Sequence, residues 1–290
     1  MMIEYHADDY GMFQQQSMEI CRCIHEGHIN GVSIMPNGPE LAECMKMLPA
    51  GVIKTIHLTL FEGRALAGKN VPHLIDRNGQ LDCSFIKLLL IGLIPGIRRV
   101  WHRELKTELS AQIKACLPYM EPSGIRIDGH GHFHMLPLVF DVLCEIIHEN
   151  NYHVSYIRIP AENLSLYRIH KSELHENSVL NPIKAILLIV LAKINRWRHP
   201  EIFTDLKTAG FMGVYLSGHM CIENLRPVLR DAVKTARQAG EDLEILFHPG
   251  YVSEEADISR ITNEADRIFM TSVWRKREAE AVCDSLPEQI

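Results

Sequence analysis

The chain has 290 residues, of which 47% are hydrophobic and 23% charged, and its formal net charge at pH 7 is −6. This composition indicates a folded globular protein, and the mild acidity argues against a nucleic-acid partner, since such surfaces are usually strongly basic. The eight cysteines lack the paired spacing of a zinc knuckle, so we expect buried, reduced thiols. The N-terminus has no basic segment followed by an apolar one, as a signal peptide would, so we expect a cytoplasmic protein.

Strand-like and helix-like stretches alternate along the whole chain. The predicted strands are 2–7, 31–37, 52–60, 124–130, 153–159, 213–219 and 243–249. The predicted helices are 13–28, 137–151 and 227–240, with two more near 103–117 and 258–270.

This alternation favours a parallel sheet, and no repeat, linker or shift in composition marks a domain boundary. We therefore predict a single α/β domain over residues 1–290. Its fold would be a distorted (β/α) barrel of about seven parallel strands, with an open doubly wound sheet as the alternative. A segment at about 61–105, which begins with an irregular stretch rich in Gly, Pro and Asn, is predicted to be a variable insert.

Two apolar runs, 85–97 and 183–194, are shorter than the roughly 20 residues that a membrane-spanning helix needs. We expect them to form buried helices or the subunit interface of a homo-oligomer. Arginines follow both runs, and Trp101 and Trp197 lie among those arginines. Contact with a membrane surface is therefore the alternative.

Polar and ionisable side chains stand at the C-terminal end of nearly every predicted strand. In parallel α/β folds this is the end at which sites are built, so we expect these side chains to face one site. In chain order they are Asp8, Asp9, Asn37, His57, Asp128, His130, His132, His134, Arg158, His219 and His248.

The stretch 127–134, IDGHGHFH, places an aspartate and three histidines at alternating positions. In an extended strand all four side chains would point to one face, which is a poor core and a good metal site. Oxygen and nitrogen ligands without cysteine suit one catalytic divalent ion, zinc or magnesium, with open coordination positions. A second carboxylate could take a proton from a metal-activated water, and a histidine could protonate a leaving group. This combination describes metal-assisted hydrolysis.

Each of these residues also has a structural explanation. Asp8 and Asp9 could cap a helix N-terminus, where carboxylates are favoured. His57 could be a hydrogen-bonded core histidine, and His219 and His248 could be turn residues. The recurrence of such groups at strand after strand is what favours a site.

Six motifs in this order resemble those of the YdjC-like carbohydrate deacetylases, a family that includes the chitooligosaccharide deacetylase type. They are HADDYG, SIMPNGP, HLTLFEG, IDGHGHFHMLP, IRIP and LFHPG, and the resemblance covers the chain from residue 3 to about residue 250. The resemblance implies metal-dependent hydrolysis of the acetamide of an N-acetylated sugar. The chain departs from the usual family residues at His6, Tyr10 and Ile56, which concerns substrate fit more than chemistry.

The resemblance also implies a metal triad of Asp9, His57 and His130. One ambiguity concerns His134, which follows His130 at the H-x-x-x-H spacing of a broader deacetylase group. If that segment were helical, His134 could replace His57 as a ligand.

Three further roles are implied by position. Asp8 would be the general base, Arg158 would orient it, and His248 would be the general acid for the leaving amine. We expect the acetylated sugar to be contacted by Asn37, His132, His134 and His219.

Two other functions are compatible with the same residues. The first is another metal-dependent hydrolase, acting on a phosphoester or a cyclic amide. An amidohydrolase would typically show an H-x-H pair on its first strand, and a phosphatase would carry more basic residues than Arg158 alone. The second is an inactive sugar-binding relative, although no position that the chemistry needs is missing.

Overall fold

The computed structural model describes residues 1–175, 178–206, 209–261 and 263–285. Within these residues seven strands form one sheet, and all neighbouring strands are parallel. The strands are β1 (Ile3–Tyr10), β2 (Gly31–Ile34), β3 (Ile53–Leu58), β4 (Ile125–Gly129), β5 (Val154–Ile157), β6 (Ala209–Met212) and β7 (Asp242–Phe247).

Helices connect the strands and cover the outer face of the sheet. Those in the first half of the chain are α1 (Gln14–Glu26), α2 (Leu41–Met47), α3 (Phe85–Ile91), α4 (Pro95–Cys116) and α5 (Pro137–Glu149). Those in the second half are α6 (Leu164–Ile169), α7 (Leu180–Arg198), α8 (Pro200–Asp205), α9 (Ile222–Ala239), α10 (Glu255–Ile258), α11 (Glu264–Met270) and α12 (Trp274–Glu280).

The strand order is β5-β4-β3-β2-β1-β7-β6. The first strand pairs with both the second and the last, as in the cyclic order of a (β/α) barrel. A doubly wound sheet would instead reverse its strand order at a switch point. Among the described residues no ladder joins β5 to β6, so the sheet is a half-barrel that opens between these strands. The prediction of a distorted barrel with seven parallel strands is confirmed.

The sixth strand was predicted at 213–219, and this position is wrong. It lies at Ala209–Met212, and residues 213–218 form turns. Val214 and Tyr215 have strand-like side chains, but their backbone N–H groups donate to the Glu162 carboxylate and not to a neighbouring strand. His219 therefore lies well beyond the end of β6.

Two other boundaries differ from the prediction. The helix predicted near 258–270 is interrupted, because α10 ends at Ile258 and α11 begins only at Glu264, and α12 follows without having been predicted. The expected insert at about 61–105 contains irregular chain, α3 and part of α4, which continues as one helix past residue 105. Whether this segment varies among relatives stays a prediction.

The cysteine prediction agrees with the structure. All eight thiols are free, and all but Cys283 are buried. Among the described residues no helix is long and apolar enough to cross a membrane.

Polar side chains fill the inside of the half-barrel. Side chains of strands that are not neighbours meet there, since Arg126 of β4 binds Glu4 of β1 at 2.7 Å and Tyr156 of β5 donates to Glu244 of β7. The side chains of β1 alternate between the two faces of the sheet, so every second residue of this strand lines the interior. The apolar core instead lies between the outer face of the sheet and the helices, where Ile56 is one of its fully buried members.

The opening between β5 and β6 is bridged by Glu162, which follows β5. Its carboxylate accepts hydrogen bonds from the backbone N–H groups of Gly213, Val214 and Tyr215, which follow β6. Burial raises the pKa of Glu162 to about 7, although the three donors lower it. Tyr167 stacks on Tyr215 beside this bridge, with ring centroids 4.0 Å apart. One buried carboxylate therefore replaces the missing ladder at the C-terminal end of the sheet.

We expect Glu162→Gln to lower the free energy of unfolding by about 1 to 3 kcal/mol, because the amide group would face a backbone donor and leave it unsatisfied. Urea unfolding monitored by circular dichroism measures the difference. Glu255→Gln, at an exposed position, is the matched control and should leave stability unchanged. Equal stability of the two variants would contradict a bridging role for Glu162.

Candidate active site

Three of the predicted site residues meet at the C-terminal end of the sheet. His130 Nδ1 lies 3.0 Å from Asp9 Oδ1, and His57 Nε2 lies 3.5 Å from the same oxygen. The two histidine nitrogens are 3.3 Å apart. Asp9 Oδ1 is buried and accepts no well-aligned hydrogen bond from any residue within the described ranges. One carboxylate oxygen and two imidazole nitrogens thus converge on one point, as a tetrahedral divalent ion with an open position requires.

The backbone of β1 explains why two consecutive aspartates face the same site. Simple alternation would send Asp8 and Asp9 to opposite faces of the sheet. Between Ala7 and Tyr10 the pairing of β1 with β2 shifts register, and Asp9 has a left-handed φ of 69°. An irregularity of this kind turns a side chain away from its regular direction and is common next to active sites.

His57 is oriented by Asp128 on the neighbouring strand. His57 Nδ1 lies 2.6 Å from Asp128 Oδ1, so its N–H donates to the carboxylate and leaves Nε2 facing Asp9. Although burial lowers the pKa of His57, Asp128 and then Asp8 raise it to about 9. A metal-ligating histidine is commonly fixed through its second nitrogen in this way, and an ion that binds must displace the proton on Nε2.

Asp8 is fixed by Arg158. The guanidinium group donates one hydrogen bond of 2.9 Å to each carboxylate oxygen of Asp8, and Arg158 itself is fully buried. Although burial raises the pKa of Asp8, Arg158 and then His57 lower it to about 2. Asp8 Oδ2 lies 3.7 Å from His57 Nε2. An ionised carboxylate therefore stands beside the cluster of Asp9, His57 and His130.

His248 follows β7 and adds a largely buried imidazole. Its backbone N–H donates to Glu278 at 2.6 Å, and its ring packs edge-on against Phe269 with centroids 5.0 Å apart. Its Nδ1 has no hydrogen-bond partner within the part of the chain that the structure describes. Burial lowers the pKa of His248 to about 4, and the nearby Asp8 and Asp9 act in the opposite direction. The imidazole is therefore neutral at pH 7.

Helix α12 supplies two residues that the sequence analysis missed. Arg275 donates from Nη2 to Asp9 Oδ2 and from Nε to the His248 carbonyl, both at 2.9 Å. Glu278, one turn later, accepts the His248 N–H. The helix thus holds the ends of β1 and β7 together. Arg275 stands in a charged run beside Lys276 and Arg277, and nothing in the sequence distinguishes it from them.

Two residues predicted to contact substrate form hydrogen bonds to the backbone, and their contact with substrate stays a prediction. Asn37 donates from Nδ2 to the carbonyls of Glu62 and Arg64, at 2.8 and 3.2 Å, and so holds the chain that follows β3. His134 Nε2 lies 2.8 Å from the Arg158 carbonyl oxygen and donates to it. The structure therefore brings His57, and not His134, to Asp9.

The histidines of IDGHGHFH do not share one strand face, contrary to the alternation argument. Strand β4 ends at Gly129, and the chain then turns through left-handed φ values of 57° at Gly131 and 60° at His132. This turn keeps His130 beside Asp9 and directs the side chain of His134 to the Arg158 carbonyl. His132 lies half-buried beside Phe211, with ring centroids 6.0 Å apart, so its contact with substrate stays a prediction.

His219 lies against α12, where the centroid of its ring is 4.6 Å from the ring centroid of Trp274. It is partly buried, and its role toward substrate also stays a prediction. Phe61 stacks on His130 of the cluster, with ring centroids 4.6 Å apart and planes at 12°. Beside Phe61 is a cleft whose lining is mostly polar, formed by Phe61, Asp76, Gln80, Leu81, Asp82, Asn263 and Glu264.

Comparison with known proteins places these features in a family. The family profile described as YdjC-like protein matches residues 3–289. A carbohydrate deacetylase of Xenopus laevis is 27% identical over 95% of this chain and 89% of its own length. One of Danio rerio is 24% identical over 86% and 81%. A chitooligosaccharide deacetylase of Yersinia enterocolitica is 24% identical over 92% and 83%.

A solved structure shows the same fold. It is that of a proposed cellobiose-phosphate cleavage protein from Enterococcus faecalis V583, with a TM-score of 0.59. The two sequences are 17% identical, and the match covers 96% of this chain and 93% of the other. A likeness at this identity supports the architecture only, whereas the profile spans the sequence from β1 to the end of the described residues. The chain belongs to the YdjC-like protein family.

Proposed function

We propose that this protein is a metal-dependent carbohydrate deacetylase. It hydrolyses the acetamide of an N-acetylated sugar, a mono- or oligosaccharide of the N-acetylglucosamine type, to acetate and a free amine. The names of the relatives from Xenopus laevis and Yersinia enterocolitica support the reaction class. The observation that carries the proposal is the convergence of Asp9, His57 and His130 beside the ionised carboxylate of Asp8.

Asp9, His57 and His130 fit one divalent ion in number and in chemistry. Imidazole nitrogens favour zinc, while magnesium would keep more oxygen ligands and water. The ion, when bound, would polarise the acetamide carbonyl and lower the pKa of a water molecule. The carboxylates here also outnumber the cationic groups, since Glu4, Asp8, Asp9, Asp128, Glu244 and Glu278 lie near Arg158 and Arg275, the partly buried Arg126 and the imidazole of His57, whose pKa is about 9. Such an excess of buried negative charge favours a bound cation.

Asp8 is the proton acceptor for the attacking water. Arg158 holds both carboxylate oxygens and so prevents the side chain from rotating away. With a pKa of about 2 the carboxylate is ionised at pH 7 and can accept a proton, but it is a weak base, so the bound ion would have to lower the pKa of the water for this transfer. His248 donates a proton to the leaving amine. His248 must first receive that proton, because its pKa of about 4 leaves the imidazole neutral at pH 7, and the proton that Asp8 takes from the attacking water balances the one that the amine gains.

The cleft beside Phe61 is the proposed sugar site. Its carboxylate and amide groups, among them Asp76, Gln80 and Asn263, suit a ligand rich in hydroxyl groups. Phe61 joins this cleft to the cluster through its stacking on His130. Asn37 supports the same wall through its hydrogen bonds to the backbone of Glu62 and Arg64.

The assignment of His57 as a ligand predicts different effects for two matched variants. His57→Gln should abolish stoichiometric zinc binding, because the Asp128-oriented nitrogen is lost. His134→Gln should retain it, because the amide can still donate to the Arg158 carbonyl. Isothermal titration calorimetry on metal-stripped protein measures both. Retention in His57→Gln and loss in His134→Gln would reverse the assignment.

Asp128→Asn should weaken metal binding by about 10- to 100-fold, since a residue that orients a ligating histidine typically contributes that much. Competition with a chromophoric chelator gives the dissociation constant. Asp82→Asn, at an exposed position, is the control for the removal of one negative charge. Thermal unfolding of both variants separates weaker metal binding from loss of fold. An unchanged dissociation constant in a folded Asp128→Asn protein would show that His57 does not depend on this contact.

Acetate release tests the reaction itself. Protein stripped of metal and reloaded ion by ion should release acetate from N-acetylglucosamine or short chitooligosaccharides. Asp8→Asn should lower kcat by about 10²- to 10⁴-fold while metal binding persists, because the proton acceptor alone is removed. His25→Gln, on the exposed surface, should be fully active. Stoichiometric metal binding without release from any of these sugars would reject this substrate class and favour another metal-dependent hydrolase.

A further inference from the structure

The two apolar runs are only half buried. Large apolar side chains are exposed on the α3–α4 turn and on the face of α7 that points away from the rest of the protein. We call these side chains, together with the basic residues among them, the basic–apolar surface. The apolar members are Ile86, Leu90, Leu93, Ile94, Ile97, Val100, Leu180, Ile183, Ile186, Val190, Ile194 and Trp197. Both runs are therefore buried on one side only, and the expected subunit interface and its alternative, contact with a membrane surface, concern the exposed side.

Helix α7 is apolar on two opposite sides. One side, which includes Ala185, Leu188 and Leu191, is buried against the protein. Ile186 and Trp197 belong to the other side and are 52% and 81% exposed. An ordinary surface helix would be polar on that side. An apolar side of this length, exposed in the isolated protein, indicates an interaction surface.

The two parts of the basic–apolar surface are adjacent in space. Asp141 of α5 binds Arg98 of α4 at 2.5 Å and Arg198 of α7 at 2.6 Å. Gly92 in the α3–α4 turn packs close to Leu138 in the first turn of α5. The turn and the C-terminal end of α7 thus meet at the N-terminal end of α5.

This surface lies at the same end of the sheet as the candidate active site. Asn195 of α7 donates to the carbonyl of Met135, which follows β4 after the His130 turn. Asn181, at the other end of α7, donates to the carbonyl of Ser217 beyond β6. Helix α7 therefore runs along the rim formed by the loops after the strands.

The charge of the surface is opposite to that of the whole chain. Segments 85–103 and 180–198 contain eight of the 30 lysine and arginine residues and none of the 36 aspartate and glutamate residues. Arg98 and Arg198 are paired with Asp141, while Arg99, Lys184 and Lys193 are exposed. Exposed apolar side chains among basic groups, with Trp197 at the edge, are complementary to a bilayer with anionic headgroups.

We propose that the basic–apolar surface binds the surface of an anionic lipid bilayer, with α7 and the α3–α4 turn lying in the headgroup region. Within the described residues no helix could span the bilayer, which is consistent with an interfacial position. A symmetric dimer through the same surface is less favourable, because it would bring like charges of two copies together without acidic partners. The proposal does not depend on the deacetylase reaction.

Co-sedimentation with vesicles tests the proposal on the full chain. We expect binding to vesicles of phosphatidylcholine and phosphatidylglycerol in equal parts, weaker binding at high salt, and little binding to phosphatidylcholine alone. The triple variant Arg99→Gln, Lys184→Gln, Lys193→Gln should lower the partition coefficient on the order of a hundredfold at low salt. The matched control, Lys69→Gln, Lys114→Gln, Lys234→Gln, removes the same charge elsewhere and should lower it far less.

The apolar part has its own test. Leu93→Ser with Ile183→Ser should reduce vesicle binding at least tenfold, whereas Met18→Ser with Ile268→Ser, also at exposed positions, should not. Sedimentation velocity without lipid and thermal unfolding accompany each variant. Absence of vesicle binding in the folded parent chain overturns the proposal. A dimer of the parent that Leu93→Ser with Ile183→Ser dissociates, with no lipid binding, also overturns it and identifies a subunit interface.

Discussion

The arrangement of the site depends on one buried guanidinium group. Arg158, which is fully buried, binds Asp8 of β1, Asp128 of β4 and Glu244 of β7 at 2.6 to 2.9 Å. Through Asp8 it fixes the proposed base, and through Asp128 it fixes the histidine that faces the proposed metal position. Removing one partner of such a buried network typically costs about 3 to 5 kcal/mol, because the remaining charges stay buried without compensation. Stability and chemistry therefore rest on the same contacts.

The interior of the half-barrel is polar around this guanidinium group. Closed barrels of this kind fill their interior with layers of branched apolar side chains, whereas here ions and hydrogen bonds occupy that space. Gly31 of β2 leaves the room that the side chains of Glu4 and His6 occupy, since an added Cβ would lie 2.6 Å from the imidazole. Among the described residues this interior is filled although no ladder joins β5 to β6. At the opening between β5 and β6 the Glu162 carboxylate takes the place of a neighbouring strand, because it accepts hydrogen bonds from backbone N–H groups that no such strand reaches.

Much of the site could be predicted because parallel strands bring their C-terminal ends together. Asp8, Asp9, His57 and His130 were found in this way, and the parallel sheet follows from the alternation of elements, which left the choice between a barrel and an open sheet to the structure. The alternation of side chains along a strand would also have indicated Glu244, because it is a charged residue among the apolar residues of β7. Other features depend on tertiary contacts. The residues after β6 have strand propensity but bond to Glu162, the chain after β4 turns left-handed, and a charged run in α12 contributes one arginine to the site.

Hydropathy could not determine the environment of α7 either. A helix that is apolar all round satisfies the pattern of a core helix, and the sequence does not show that only one of its sides meets the protein. The distribution of charge carries the missing information, since acidic residues are absent from both apolar segments of an acidic chain. Because α7 lies along the rim of the sheet, a bilayer bound there would face the end that carries Asp9 and His57. The proposed deacetylase would then meet its acetylated sugar at a lipid surface, and the polar cleft beside Phe61 would select the sugar while the helix sets the position of the enzyme.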